Sequence, residues 1–362
     1  MTNEPKKTSK SSPKTSAGVT SHDVARAAGV SQSAVSRAFS PDGKIAPATR
    51  ARVLNAAQTL GYHPNAFARS LVQQRTRIVG ILVARLDNHF YPRVLEELTA
   101  GLWEAGRQVM YFNVDDSSDG GGGDLEGVLR TALQYRVEAM VLTSITLSSH
   151  LAETFYKAGV PVVLFNRRLD DPNVHAVACD NVGGGRLVAD ALLDAGHKRF
   201  AFVGGHPDTS TNQDRKAGFS AGLRARGAGL AVALEKDYSY DWGRSAVRGL
   251  FSQPEPPDAL FCAGDLIALG ALDALRVDLG VRVPEEVAVV GFDDVAAASW
   301  GSFELSTVRQ PVDRLVQETL AVVTGAADAP PRRVTVPVTF VPRGTTRPAV
   351  PAAQALLTET VL

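Results

Sequence analysis

"HDVARAAGVSQSAVSRAFS", residues 22–40, decides how the N-terminal part of the chain folds. Val24, Ala25 and Ala28 recur at the spacing of one helix face, and after Gly29 so do Val30, Ala34, Val35 and Ala38. Two amphipathic segments this short, parted by one glycine, read as helices that cross steeply. Gly29 supplies the positive φ of the turn, and the small Ala25 lets the helices approach. Thr20 with Asp23 forms an N-terminal cap for the first helix, and Ser31 stands at the N-cap of the second. The pattern predicts a helix-turn-helix. "APATRARVLNAAQTLGY", residues 46–62, adds a third helix with Pro47 in its first turn, a stripe of Val53, Leu54, Ala57 and Leu60, and Gly61 as terminator.

The segments on either side differ in kind. The leader "MTNEPKKTSKSSPKTSAG" is rich in Ser, Thr, Lys and Pro and reads as disordered, with none of the apolar character of a signal peptide. In "HPNAFARSLVQQRTR", residues 63–77, Pro64 ends the third helix and Asn65 can cap another of only about eight residues, too short to persist alone in water. It reads as a linker that is helical only against a partner. Residues 1–75 carry 11 Lys and Arg against 3 Asp and Glu, and the remainder 27 against 35, so a zero net charge hides a basic end on an acidic body. That asymmetry suits a polyanion partner. Cys179 and Cys262 both lie in apolar strand-like segments and read as buried, reduced thiols.

From Arg77 onward, strands alternate with amphipathic helices. The strand segments are "RIVGILVA", "RQVMYFNV", "VEAMVLT", "VPVVLFN", "VHAVACD", "KRFAFVGG", "PDALFCAG" and "EEVAVVGF"; helices such as "YPRVLEELTAGLWEAG" and "NVGGGRLVADALLDAG" lie between them. Near-continuous apolar strands separated by helices predict parallel sheets covered on both faces, and more than 260 residues suit two such lobes. The expected organisation is a leader (1–18), a helix-turn-helix domain (19–63), a hinge helix and linker (64–76), a core (77–345) and a tail (346–362).

The sequence resembles the lactose-repressor/galactose-repressor family of bacterial transcription regulators from Val19 to about Arg343. The likeness rests on "VTSHDVARAAGVSQSAVSRAF" and "ATRARVLNAAQTLGYHPNAFARSL", then on "ACDNVGGGRLVADALLDAGHKRFAFVGG", "DRKAGFSAGL", "FCAGDLIALGAL", "VAVVGFDD" and "LSTVRQP" in order. It implies an α/β fold class: an all-α helix-turn-helix headpiece, and a two-lobed periplasmic-binding-protein-like core of parallel sheets flanked by helices. It also implies a homodimer or tetramer on a palindromic operator, controlled by a small ligand between the lobes.

Site residues follow from the same resemblance. The second helix would enter the major groove, with Gln32 and Ser33 discriminating bases and Arg37 reading a guanine or a phosphate. Thr20, Ser31, Ser36, Thr49 and Arg50 would contact the DNA backbone, and Asn65 and Arg69 the backbone or groove nearby; Leu71 would wedge into the minor groove. In the core, Asp265 at the end of "ALFCAGD" is the leading ligand contact, although "GD" replaces the family's usual "ND". Arg215, Phe90, Tyr91, Asn166, Arg167, Tyr238, Trp242 and Asp293 complete the expected ligand set. Two arginines, Arg167 and Arg215, would suit a sugar acid such as an aldonate better than a neutral sugar. No cofactor, metal or catalytic group is expected.

Two other readings use the same fold. An enzyme would need a nucleotide fingerprint or a nucleophile; "GGG" lacks the strand–GxGxxG–helix setting, and His197 and His206 read as surface residues. A transport binding protein would need an export signal and no headpiece. The expected location is the cytoplasm, with the nucleoid.

Overall fold

The computed structural model describes residues 19–40, 43–64, 75–83, 86, 88–114, 125–143, 149–169, 171, 173–326 and 329–348. The chain divides into two compact units, Met1–Thr76 and Arg77–Leu362.

In the first unit, α1 (Ser21–Ala28) and α2 (Gln32–Ala38) meet at Gly29, whose φ is 62°. A side chain there would touch nothing within 4 Å, so the residue is glycine for its backbone angle and not for space. Thr20 and Asp23 close a capping box on α1, and the Ser31 hydroxyl accepts from the Ala34 N–H of α2. With α3 (Pro47–Leu60) these helices bury Val24, Ala25, Ala28, Val35, Ala38, Val53 and Ala57. Leu54 and Leu60, expected in the α3 stripe, are 42% and 36% exposed. Two short alanine-faced helices cover only a narrow strip of the third.

The second unit has two lobes. The first is a parallel sheet in the order β11-β5-β4-β3-β1-β2, comprising β1 (Ile78–Val83), β2 (Gln108–Asn113), β3 (Ala139–Thr143), β4 (Val162–Phe165), β5 (His175–Cys179) and β11 (Arg333–Val336). The second is parallel in the order β7-β6-β8-β9, from β6 (Phe200–Gly204), β7 (Leu230–Glu235), β8 (Ala259–Cys262) and β9 (Ala288–Val290). An antiparallel pair, β10 (Thr307–Arg309) with β12 (Thr339–Val341), adjoins it. Helices cover the sheets: α4 (Phe90–Glu104), α5 (Leu125–Gln134), α6 (Ser149–Lys157) and α11 (Val312–Val323) the first, and α7 (Asn181–Asp194), α8 (Ser210–Ala225), α9 (Tyr240–Phe251) and α10 (Asp265–Asp273) the second. The chain therefore passes between the lobes at Asp180, at Pro311 and at Pro337. β1, β3, β6 and β8 are buried almost end to end, as their unbroken apolar sequences require.

The sequence pattern did not mark β7, β10, β11 and β12. β7 is a largely exposed edge strand, and the others are three or four residues long. The "GGG" of α7 proves to be a packing device. A Cβ at Gly185 would lie 2.3 Å from the Arg215 carbonyl oxygen, and one at Gly218 would lie 2.0 Å from that of Val182. Only hydrogen side chains let α7 and α8 cross so closely, which brings Arg215 of α8 onto Asn181 of α7. His197 is buried rather than at the surface, with Nδ1 3.8 Å from Asp258, whereas His206 is exposed.

Candidate functional sites

The exposed row of the headpiece lies on α2. Gln32, Ser33, Ser36 and Arg37 all face solvent, while Ala34, Val35 and Ala38 face the core. Gln32 Nε2 donates to Ser21 Oγ at 3.1 Å, and the hydroxyls of Ser31 and Ser33 are 2.9 Å apart. The Arg37 side chain is exposed and forms no hydrogen bond or ion pair with the described residues, so its donor fork is available to base edges or phosphates. Thr49 is half-buried in the first turn of α3. Thr20 is engaged in the capping box, its hydroxyl 2.7 Å from Asp23 Oδ2. Arg50 departs from the expected backbone contact: its Nη2 turns inward to the carbonyls of Ser40 (3.3 Å) and Gly43 (2.9 Å), bracing the turn before α3. Asn65, Arg69 and Leu71 lie outside the described residues.

The second site lies between the lobes of the core, beyond the carboxyl ends of their strands, where open parallel sheets present ligand crevices. Phe90 and Tyr91 open α4 after β1, and Asn166 and Arg167 follow β4; Thr211 and Arg215 come from α8, Tyr238 follows β7, and Asp293 follows β9. Seven expected residues thus converge, joined by Asn88 and Thr211, which the sequence reading missed. Thr211 lies four residues before Arg215 on the same helix face, a spacing that could have revealed it. The Phe90 and Tyr91 rings meet edge-on with centroids 5.4 Å apart. Asn166 and Asp293 take positive φ values of 54° and 124°, strained backbone of the kind that clusters at binding sites.

Two expected contacts do not line this cleft. Asp265 is fully buried at the start of α10; its Oδ2 accepts the Val295 N–H at 2.9 Å and its Oδ1 the Thr307 hydroxyl at 2.5 Å. Its carboxylate therefore fastens the loop after β9 to β10, and the same loop carries Asp293. Trp242 turns away too, its Nε1 donating to the Gly204 carbonyl at 2.8 Å.

The charges are unequally matched. Arg215 donates from Nε to Asn181 Oδ1 at 2.8 Å and from Nη1 to the Ala263 carbonyl, lies 3.5 Å from Asp293, and stacks on the Phe292 ring at 3.6 Å. Asp293 also accepts from Gln310 Nε2 at 2.6 Å. Arg215 thus has its counter-ion inside its own lobe, not across the cleft. Burial pushes the carboxyls of Asp293 and Asp265 above the usual range; Arg215 pulls Asp293 back down, and the neighbouring Asp293 raises Asp265 further.

The lobes are joined beside Arg167. Its Nη1 donates to Thr211 Oγ1 at 2.8 Å, the Arg168 N–H donates to Ser210 Oγ at 3.0 Å, and Arg168 Nη2 pairs with Asp214 at 2.6 Å. Arg167 also parts two hollows. The cleft itself leaves about 20 Å³, and a hollow of about 250 Å³ opens on the other side among Arg168, Asp180, Asn181, Ser210, Asp214 and Thr335. The smaller holds about one water, so a ligand at the aromatic residues requires side chains or lobes to shift.

Comparison with known proteins agrees with this geometry. The profile of "Bacterial regulatory proteins, lacI family" matches residues 20–65, and that of the "Periplasmic binding protein-like domain" matches residues 189–346. The HTH-type transcriptional regulator CelR of Thermobifida fusca is 34% identical over 326 residues, covering 86% of this chain and 94% of its own. The lac repressor dimer bound to operator and the anti-inducer ONPF superposes with a TM-score of 0.81 at 25% identity, covering 91% of this chain and 99% of its own. The transcriptional regulator CelR–cellobiose complex does so with a TM-score of 0.66 at 30% identity, covering 90% and 99%.

Proposed function

This chain belongs to the lacI family of bacterial regulatory proteins, and from that premise we propose that a small polyhydroxylated ligand in its interlobe cleft sets its affinity for an operator. The protein is a DNA-binding transcriptional regulator, not an enzyme. It acts as a homodimer whose two headpieces read a palindromic site, and its DNA target puts it in the cytoplasm with the nucleoid. Gln32, Ser33 and Arg37 read base edges, while Ser31, Ser36 and Thr49 serve the phosphates. Phe90, Tyr91 and Tyr238 offer ring faces to the ligand, and Asn166, Thr211 and Asp293 offer polar atoms to its hydroxyls.

One observation carries the reading: aromatic and polar side chains from both lobes converge on a single cleft. A ligand touching both lobes favours one interlobe angle, and its differential affinity for the two angles is the whole of its leverage. Coupling of about 1–3 kcal/mol corresponds to about 5–150-fold in operator affinity. Among the described residues no helix is long and apolar enough to cross a membrane.

The test is selection of an operator from randomised DNA with the full-length protein, then measurement of its affinity with and without added sugars. Tyr238→Ala should shrink the ligand-dependent shift. Failure to enrich any sequence refutes the DNA reading; operator affinity that answers to no carbohydrate refutes the cleft reading.

A further inference from the structure

We propose that Ser21, on the first helix of the headpiece, is a specificity-determining residue for DNA: its hydroxyl holds the Gln32 amide in the orientation that reads adenine and excludes guanine. The inference rests on α2 as the helix that meets base edges, and adds a positioning residue that acts through one of its readers.

The argument begins with the ambiguity of a glutamine. Its side chain is long and rotamer-rich, so ordering it on DNA carries an entropic cost. Its amide offers two N–H donors on one side and a carbonyl acceptor on the other. Adenine presents N7 as an acceptor and N6–H as a donor, whereas guanine presents two acceptors, N7 and O6. A freely turning amide can meet adenine with one N–H and the carbonyl, or guanine with both N–H groups. The residue type alone does not settle the base.

The structure removes that freedom. Gln32 Nε2 donates to Ser21 Oγ at 3.1 Å. One N–H is thereby engaged, and the other remains beside the carbonyl, the donor and acceptor that adenine requires. Guanine would require both N–H groups. The bond joins the first residue of α1 to the first residue of α2, 11 positions apart. Both ends are firmly based. The capping box of Thr20 and Asp23 fixes the backbone around Ser21, and Val24, Ala25 and Val35 pack the two helices into one core. The cap of α1 is Thr20, so the helix does not need the Ser21 hydroxyl for its own end. The neighbouring reader is held in the same way: the Ser31 hydroxyl accepts the Ala34 N–H and lies 2.9 Å from that of Ser33.

The experiment uses the full-length protein and the operator selected from randomised DNA. The base pair read by Gln32 is the one whose preference Gln32→Ala removes. There the wild type should favour adenine over guanine by about tenfold or more, measured by competition between operator duplexes that differ at that pair alone. Ser21→Ala should reduce this ratio about threefold or more, the worth of one hydrogen bond, and leave both the ratios at other pairs and the unfolding temperature of the headpiece unchanged. Ser21→Thr, which keeps the hydroxyl, should retain the ratio. In the Q32A background, Ser21→Ala should change nothing further. A ratio unaltered in S21A overturns the proposal, as does a preference for guanine in the wild type. An S21A effect of equal size with and without Gln32 overturns it too, because Ser21 would then touch the DNA itself. A loss in S21T as large as in S21A also counts against it. If Gln32→Ala alters no preference, the reading of α2 falls and the inference with it; if Q32A does and S21A does not, the inference falls alone.

Discussion

Replacing Asp265 with alanine separates two roles that the sequence cannot tell apart. As a ligand contact, the residue would affect binding and leave the fold alone. In the structure its carboxylate is an internal acceptor with two donors, the Val295 N–H at 2.9 Å and the Thr307 hydroxyl at 2.5 Å, in a fully buried site. It also lies against Gly291 so closely that a Cβ there would come within 2.2 Å of its Oδ1. Alanine leaves both donors without a partner, and each buried unsatisfied group costs about 1–3 kcal/mol, so the second lobe should lose about 2–6 kcal/mol. Thr307→Val removes one donor and should cost less. In the D265A/T307V double variant only the Val295 N–H is stranded, so the double variant should be more stable than the sum of the single losses implies. Urea unfolding of the four proteins, followed by far-UV circular dichroism, supplies the cycle. An Asp265→Ala protein with wild-type stability and no ligand response would refute the internal role and return the carboxylate to the cleft.

The remaining expectations are narrower. Gln32→Ala and Ser33→Ala should alter which base pairs are preferred, by about 1–3 kcal/mol where a bidentate contact is lost, as read by selection on randomised DNA; unchanged preference in both excludes α2 from the groove. Arg50→Ala should lower the unfolding temperature of the headpiece, because two carbonyls of the turn before α3 lose their donor; a change confined to DNA affinity would make it a phosphate contact instead. The buried carboxyls predict a pH trend. Asp265 and Asp293 are held above their unfolded values, so their contribution to stability is full at acid pH, below the ordinary carboxylate range, and is lost as pH rises through the folded-state values toward neutrality. In the wild type this should appear as a declining component of core stability over that window, reduced in Asp265→Asn; a dependence unchanged in that variant rules out Asp265 as its source.

The contrast between what the sequence disclosed and what it withheld has a physical basis. Val24, Ala25, Ala28, Ala34, Val35 and Ala38 were legible as helix faces because burial imposes a period, and a period survives in one dimension. The strands at the centres of both sheets were legible for the same reason, whereas edge strand β7 carries no such constraint. The cleft was legible as strand ends, which topology alone makes into a crevice. What the sequence could not show is where a side chain terminates. Asp265 and Asp293 both follow strands whose ends meet the cleft, yet one closes on Val295 and Thr307 while the other lines the ligand space. Arg167 and Arg215 look alike as two cations for one ligand. The difference between them is Asp293, more than 70 residues away in the chain and 3.5 Å from Arg215. A motif places a charge near a cleft, but whether that charge is free depends on its neighbours in the fold.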